Sequence, residues 1–188
     1  MNQEPIQRFT VTVFSENTVG ILNRISIIYT RRAINVESIT ASPSSIPGIF
    51  KTTLMCYSDR PTMEKVVAQL EKIIYVVKAF LYTDDQIVHQ EVALYKLPTK
   101  ELMEEKHLEQ IIRLHGARVL DITPEYTVLE KTGHVDETEA LFEELKAYDI
   151  RQFVRSGRVC VTKDPVEHVT AYLAMREKTF NDIKQSDN

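Results

Sequence analysis

The chain changes its hydrophobic period twice within its first 41 residues, and that change limits the possible folds more than any other feature. Phe9, Val11 and Val13 alternate with Thr10, Thr12 and Phe14, which is the period of a strand. A polar turn, Glu16-Asn17-Thr18-Val19-Gly20, follows. Ile21, Leu22, Ile25, Ile28 and Tyr29 then fall on one face of a helix. A second strand-like run spans Ile34 to Ser42. A half-apolar strand and a one-sided helix each need a partner layer, so the helix must lie on a sheet.

The pattern continues through the first half. Pro43 to Gly48 is dense in turn residues, and Ile49 to Tyr57 reads as a third strand. Pro61 suits the first turn of a second helix that carries Met63, Val66, Val67, Leu70, Ile73 and Ile74. Tyr75 to Tyr82 is a fourth strand. The order β-α-β-β-α-β is that of a ferredoxin-like sandwich.

The second half repeats this order more loosely. Strands are predicted at Glu91 to Leu97, Ala117 to Thr123 and Tyr126 to Lys131. A further strand or bulged pair covers Ile150 to Val154 and Arg158 to Thr162. Helices are predicted at Leu102 to His115, Asp136 to Tyr148 and Pro165 to Lys178, and Asn181 to Asn188 is expected to fray. The chain reads as α+β, with two ferredoxin-like βαββαβ units over 1–83 and 84–163 and a C-terminal helix and tail over 164–188.

Composition narrows the function. Apolar residues make up 43% and the net charge is −4, so a real core is available and no nucleic acid or anionic membrane is implied as partner. No run approaches a membrane span, and the N-terminus lacks an apolar secretory core, so a cytoplasmic location is expected. Cys56 and Cys160 sit in strand-like runs and read as reduced, buried thiols. A ferredoxin-like unit covers only one sheet face with helices. A homodimer is therefore expected, with Phe14, Phe50, Tyr57, Phe80 and Tyr82 as candidates for burial there or for ordinary core.

The turn before the first helix is the candidate site. Asn17 or Thr18 suits a helix N-cap, and unpaired N–H groups at a helix start welcome a carboxylate. Gly20 leaves room for close approach, and the amide oxygens of Asn17 and Asn35 suit an ammonium. Val19, Ile21, Leu22 and Val36 are apolar enough to line a cavity for a branched side chain. The same spacing fits a plain capped turn, and spacing alone favours that reading. No nucleophile–base motif, phosphate loop or metal-ligand spacing is present, and the five histidines are scattered.

Four segments resemble one family. N-T-V-G-I-L-N-R-I (17–25) with R-R-A-I-N-V-E-S-I (31–39), H-Q-E-V-A-L-Y-K (89–96), G-A-R-V-L-D-I-T-P-E-Y-T-V (116–128) and F-V-R-S-G-R-V-C-V (153–161) are similar to the small regulatory subunit of acetolactate synthase. The resemblance implies an N-terminal ACT domain and a related C-terminal domain. It implies a non-catalytic subunit that binds a branched-chain amino acid, commonly valine, at an ACT dimer interface. Such a subunit activates a large catalytic subunit and confers feedback inhibition on it. By motif, Asn17, Gly20 and Asn35 match the effector positions, with Thr18, Val19, Ile21, Leu22 and Val36 around them. No cofactor is expected in this chain, because thiamine diphosphate, magnesium and FAD belong to the large subunit. The family often has glycine where this chain has Ala33 and an aromatic residue where it has Ile34. Two rival readings are a stand-alone ACT-type amino-acid sensor or transcriptional co-regulator, and a small enzyme on the same scaffold. The absence of a helix-turn-helix or basic arm counts against DNA contact.

Overall fold

Phe9, Val11 and Val13 meet Ile21, Ile25, Ile28 and Tyr29 in one buried cluster, so the handover from strand to helix closes a core. The structure is a computed structural model that describes residues 5–186, without the side chains of 106 and 179–186. The first unit contains β1 (Gln7–Glu16), α1 (Ile21–Thr30), β2 (Val36–Pro43), β3 (Ile49–Ser58), α2 (Arg60–Leu70) and β4 (Val76–Tyr82). Its antiparallel sheet has the order β2-β3-β1-β4. This is the ferredoxin-like arrangement expected from the sequence.

Asp59 caps α2 by accepting a 2.9 Å hydrogen bond from the Thr62 amide, with Pro61 in the first turn. That bond holds the Asp59 carboxyl below the usual carboxylate range. The helix stops at Leu70, earlier than the apolar spacing predicts. Ile73 and Ile74 instead lie in the turn that reverses the chain into β4, with Tyr75 at φ 80° and Ile74 exposed.

The second unit repeats the order with β5 (Ile87–Leu97), α3 (Thr99–Glu104), α4 (Lys106–Leu114), β6 (Arg118–Ile122), β7 (Thr127–Gly133), α5 (Val135–Leu145) and β8 (Gln152–Arg155). Its strands run β6-β7-β5-β8, the same order as in the first sheet. Tyr95, Leu108, Ile111, Leu129 and Leu141 are buried in its core. Phe153 stacks on both Tyr95 and Phe142 there. One continuous helix was expected from Leu102 to His115, but the chain breaks at Glu105, which is extended (φ −106°, ψ 93°). Six residues of unbroken helix would rotate Leu108 by about 600° from Leu102, a third of a turn off its face. The break lets both side chains reach the same core.

Residues through Val88 group with Cys160 onward, and His89–Val159 forms the other unit. The expected strand pair near the C-terminus is two short strands, β8 and β9 (Val159–Thr162), with Gly157 at φ 77° between them. The last helix, α6 (His168–Ser186), starts three residues after Pro165 and continues through residues expected to fray. Residues 187 and 188 lie outside the described range.

This returning segment packs within the first unit. Lys51 Nζ donates to Cys160 O at 2.8 Å, and Lys163 Nζ donates to Asp85 O at 2.8 Å. The Tyr82 hydroxyl and His168 Nδ1 are 2.9 Å apart. The sheet face opposite α1 and α2 is thus covered by the chain itself. Phe14 and Tyr82 are buried there and Phe80 packs on His168, so these three need no second copy to bury them. Tyr57 stays exposed. Neither Cys56 nor Cys160 is in a disulfide, and both are buried.

Candidate functional site

The Glu16–Gly20 turn is held by backbone bonds rather than by side chains. The Thr18 amide donates to Glu16 O at 3.0 Å, and the Ile21 amide donates to Thr18 O at 3.2 Å. This tight reversal puts Gly20 at φ 81°, ψ 4°, a left-handed conformation that glycine adopts without strain. Gly20 is therefore the helix N-cap, and no side chain caps α1. Asn17 and Thr18, the expected caps, precede the cap position and make no side-chain bond to the first-turn amides. The correction frees their side chains for other partners.

The amides of Val19, Gly20, Leu22 and Asn23 have no hydrogen-bond acceptor among the described residues. They stand at the positive end of the α1 dipole, which is suitable for an anion. Val19 is fully exposed at 102% and Leu22 is 44% exposed, whereas Ile21 is buried in the core. Ile21 can therefore offer only backbone to a ligand.

Asn35 and Val36 open β2 at the other end of α1. The Asn35 Nδ2 group donates to Glu37 Oε1 at 2.8 Å, which leaves its amide oxygen free beside a carboxylate. Glu37 was not among the predicted site residues. The one available signal was its i+2 spacing from Asn35, which places both on one side of a strand. Ala33 stands just before this pair at φ 53°, the left-handed region. Glycine enters that region without strain, whereas alanine is strained there.

The strand register separates the two halves of the site. Val36 and Phe9 both pair with Cys56, so Val36 is level with Phe9 across the sheet. Glu16, the start of the turn, lies seven residues further along β1, about 23 Å away at strand rise. One protomer cannot bring Asn17 and Asn35 to the same small molecule. β2 is an edge strand, so its outer side is open to a second chain.

Comparison with known proteins fits this geometry. Residues 11–78 match the family model described as the AHAS small subunit-like ACT domain. Residues 90–164 match the model described as the small subunit of acetolactate synthase. The acetolactate synthase small subunit of Mycobacterium leprae is 30% identical over 156 residues, 83% of this chain and 92% of that protein. The probable acetolactate synthase small subunit of Methanothermobacter thermautotrophicus is 27% identical, over 81% of this chain and 91% of that one. The crystal structure of the Thermotoga maritima small subunit superposes with a TM-score of 0.77 at 25% identity, covering 86% of this chain and all (100%) of that one. This chain belongs to the acetolactate synthase small-subunit family, with an ACT domain in its N-terminal unit.

Proposed function

We propose that this chain is a non-catalytic regulatory subunit of acetolactate synthase that binds a branched-chain amino acid, valine foremost. The observation that carries this reading is the exposed turn with four unpaired amides in a member of this family. The effector carboxylate sits on the amides of Val19, Gly20 and Leu22, with the Asn17 and Thr18 side chains beside it. Its ammonium is met by the Asn35 amide oxygen and the Glu37 carboxylate of the partner subunit. Leu22 and Val36 flank its side chain.

The separation of about 23 Å within one sheet favours a homodimer. Antiparallel pairing of two β2 edges about a two-fold axis reverses the ends of the sheet, which brings the Asn35 end of one protomer to the turn end of the other. Valine then favours one disposition of the two ACT domains and changes the surface offered to the large catalytic subunit. Thiamine diphosphate, magnesium and FAD stay with that large subunit. A coupling of about 1–3 kcal/mol between the sites alters activity or affinity roughly 5- to 150-fold.

Two measurements test the reading. Co-purification with the large subunit is expected, and its failure would remove the regulatory assignment. Calorimetry with valine, leucine and isoleucine is expected to show saturable binding. Asn17→Ala should weaken it by about 1–3 kcal/mol through loss of a polar contact. Unchanged binding in that variant would rule out a role for its side chain.

A further inference from the structure

The face of the first sheet turned away from α1 and α2 holds a second set of polar groups. Where residues 160–168 close over this face they leave a cavity of about 170 Å³. Thr12, Phe14, Lys51, Tyr82, Glu167 and His168 line it, and none of them belongs to the Asn17–Gly20 turn.

The two charges in this lining are opposite and are not paired with each other. The Lys51 ammonium sits 5.7 Å from the centre of the Phe14 ring and spends one proton on Cys160 O. Its remaining protons have no acceptor among the described residues. Glu167 accepts only a long 3.4 Å bond from Ser45 Oγ. The wall between them is held in place. The Tyr82 hydroxyl is bonded to His168 Nδ1, His168 Nε2 is bonded to Asp164, and the Tyr82 and His168 rings stack at 5.8 Å. A pre-ordered wall lowers the entropy cost of binding.

Size and chemistry then select the occupant. A cavity of about 150 Å³ takes up benzene, so this one has room for roughly five to eight heavy atoms. The opposite charges of Lys51 and Glu167 in its mixed lining disfavour a wholly apolar guest, because part-buried charges need partners. We propose that this cavity is a second ligand site, for a small zwitterion of the α-amino acid class. Lys51 Nζ takes the carboxylate, Glu167 takes the ammonium, and the Phe14 ring receives a compact side chain. This site is independent of the effector reading, since its residues and sheet face are different.

The test uses the full chain carrying Asn17→Ala, which weakens binding at the turn. It is titrated calorimetrically with glycine, L-alanine and L-valine, and with propionate and isopropylamine as half-ligands. At least one amino acid should bind saturably, and each half-ligand should bind about tenfold more weakly or worse for loss of a charged hydrogen bond. Lys51→Met and Glu167→Gln should each weaken the amino acid about tenfold or more. Because Lys51 also holds the returning segment, the His168 ring resonances of the unaltered chain are followed by NMR as a readout that needs no variant. They should shift on titration. No saturable binding by any of the three amino acids, or full binding in Glu167→Gln, would overturn the site. Propionate binding as tightly as alanine would make it an anion site and overturn the zwitterion assignment. Binding lost in Asn17→Ala but intact in Glu167→Gln would leave only the turn, so failure of one site is distinguishable from failure of the other.

Discussion

The two units share one topology, yet the turn after their first strand has opposite fates. In the N-terminal unit β1 runs into Asn17–Gly20, where backbone amides and two polar side chains remain unspent. In the other unit β5 runs into Pro98, which has no N–H to offer. Thr99 follows, buried, with its hydroxyl given to Thr123 O at 2.6 Å and meeting Thr127 Oγ1 at 3.0 Å. One turn leaves its polar groups unspent, and the other uses them to hold its own fold. A binding site therefore does not come with the βαββαβ topology. The residues of each turn decide which of its polar groups stay unpaired.

The second sheet faces differ in the same way. In the N-terminal unit, Thr12, Phe14 and Tyr82 lie buried beside the returning residues 160–168. In the other unit, Val92 and Val154 point away from the core and are 38% and 60% exposed.

The covered face supplies the largest expected effect. Tyr82→Ala should destabilise the protein by about 3–5 kcal/mol, the usual cost of deleting a buried aromatic side chain. Urea unfolding measures it, and a loss under about 1 kcal/mol would show that this cover adds little stability. Thr99→Ala comes next. It should lower stability by about 1–3 kcal/mol by orphaning buried partners, with no change in amino-acid binding. A binding defect there would mean the closed turn is functional after all. Ala33→Gly should raise stability by about 0.5–1 kcal/mol, since relief of left-handed strain outweighs the added chain entropy. Thermal melts read this, and a fall would show that the strain is already relieved. The smallest effect belongs to the open face. Val154→Thr should stay within about 0.5 kcal/mol of the parent, and a larger loss would mean that face is covered in solution.

Much of the fold was legible because local period and burial agree. The alternation of Phe9, Val11 and Val13 and the helical spacing of Ile21, Ile25 and Ile28 both point into one core. The break at Glu105 was less visible, because Leu108, Ile111 and Ile112 already show a helical face, and the differing phase of Leu102 is easily passed over. The positive φ at Ala33 was suggested only by the family pattern, since alanine itself gives no hint of it.

The sequence by itself determined the element order, the two repeated units and the residues of the candidate turn, because these rest on contacts close along the chain. Only the tertiary structure decided that Gly20 caps α1 and that Asn35 lies across the sheet from Asn17. It alone placed residues 160–168 on the first sheet. Those outcomes depend on strand register and on pairings between residues far apart in the chain, such as Lys51 with Cys160 (|i−j| of 109). No local period encodes them. They follow from which exposed face the rest of the chain can reach and bury.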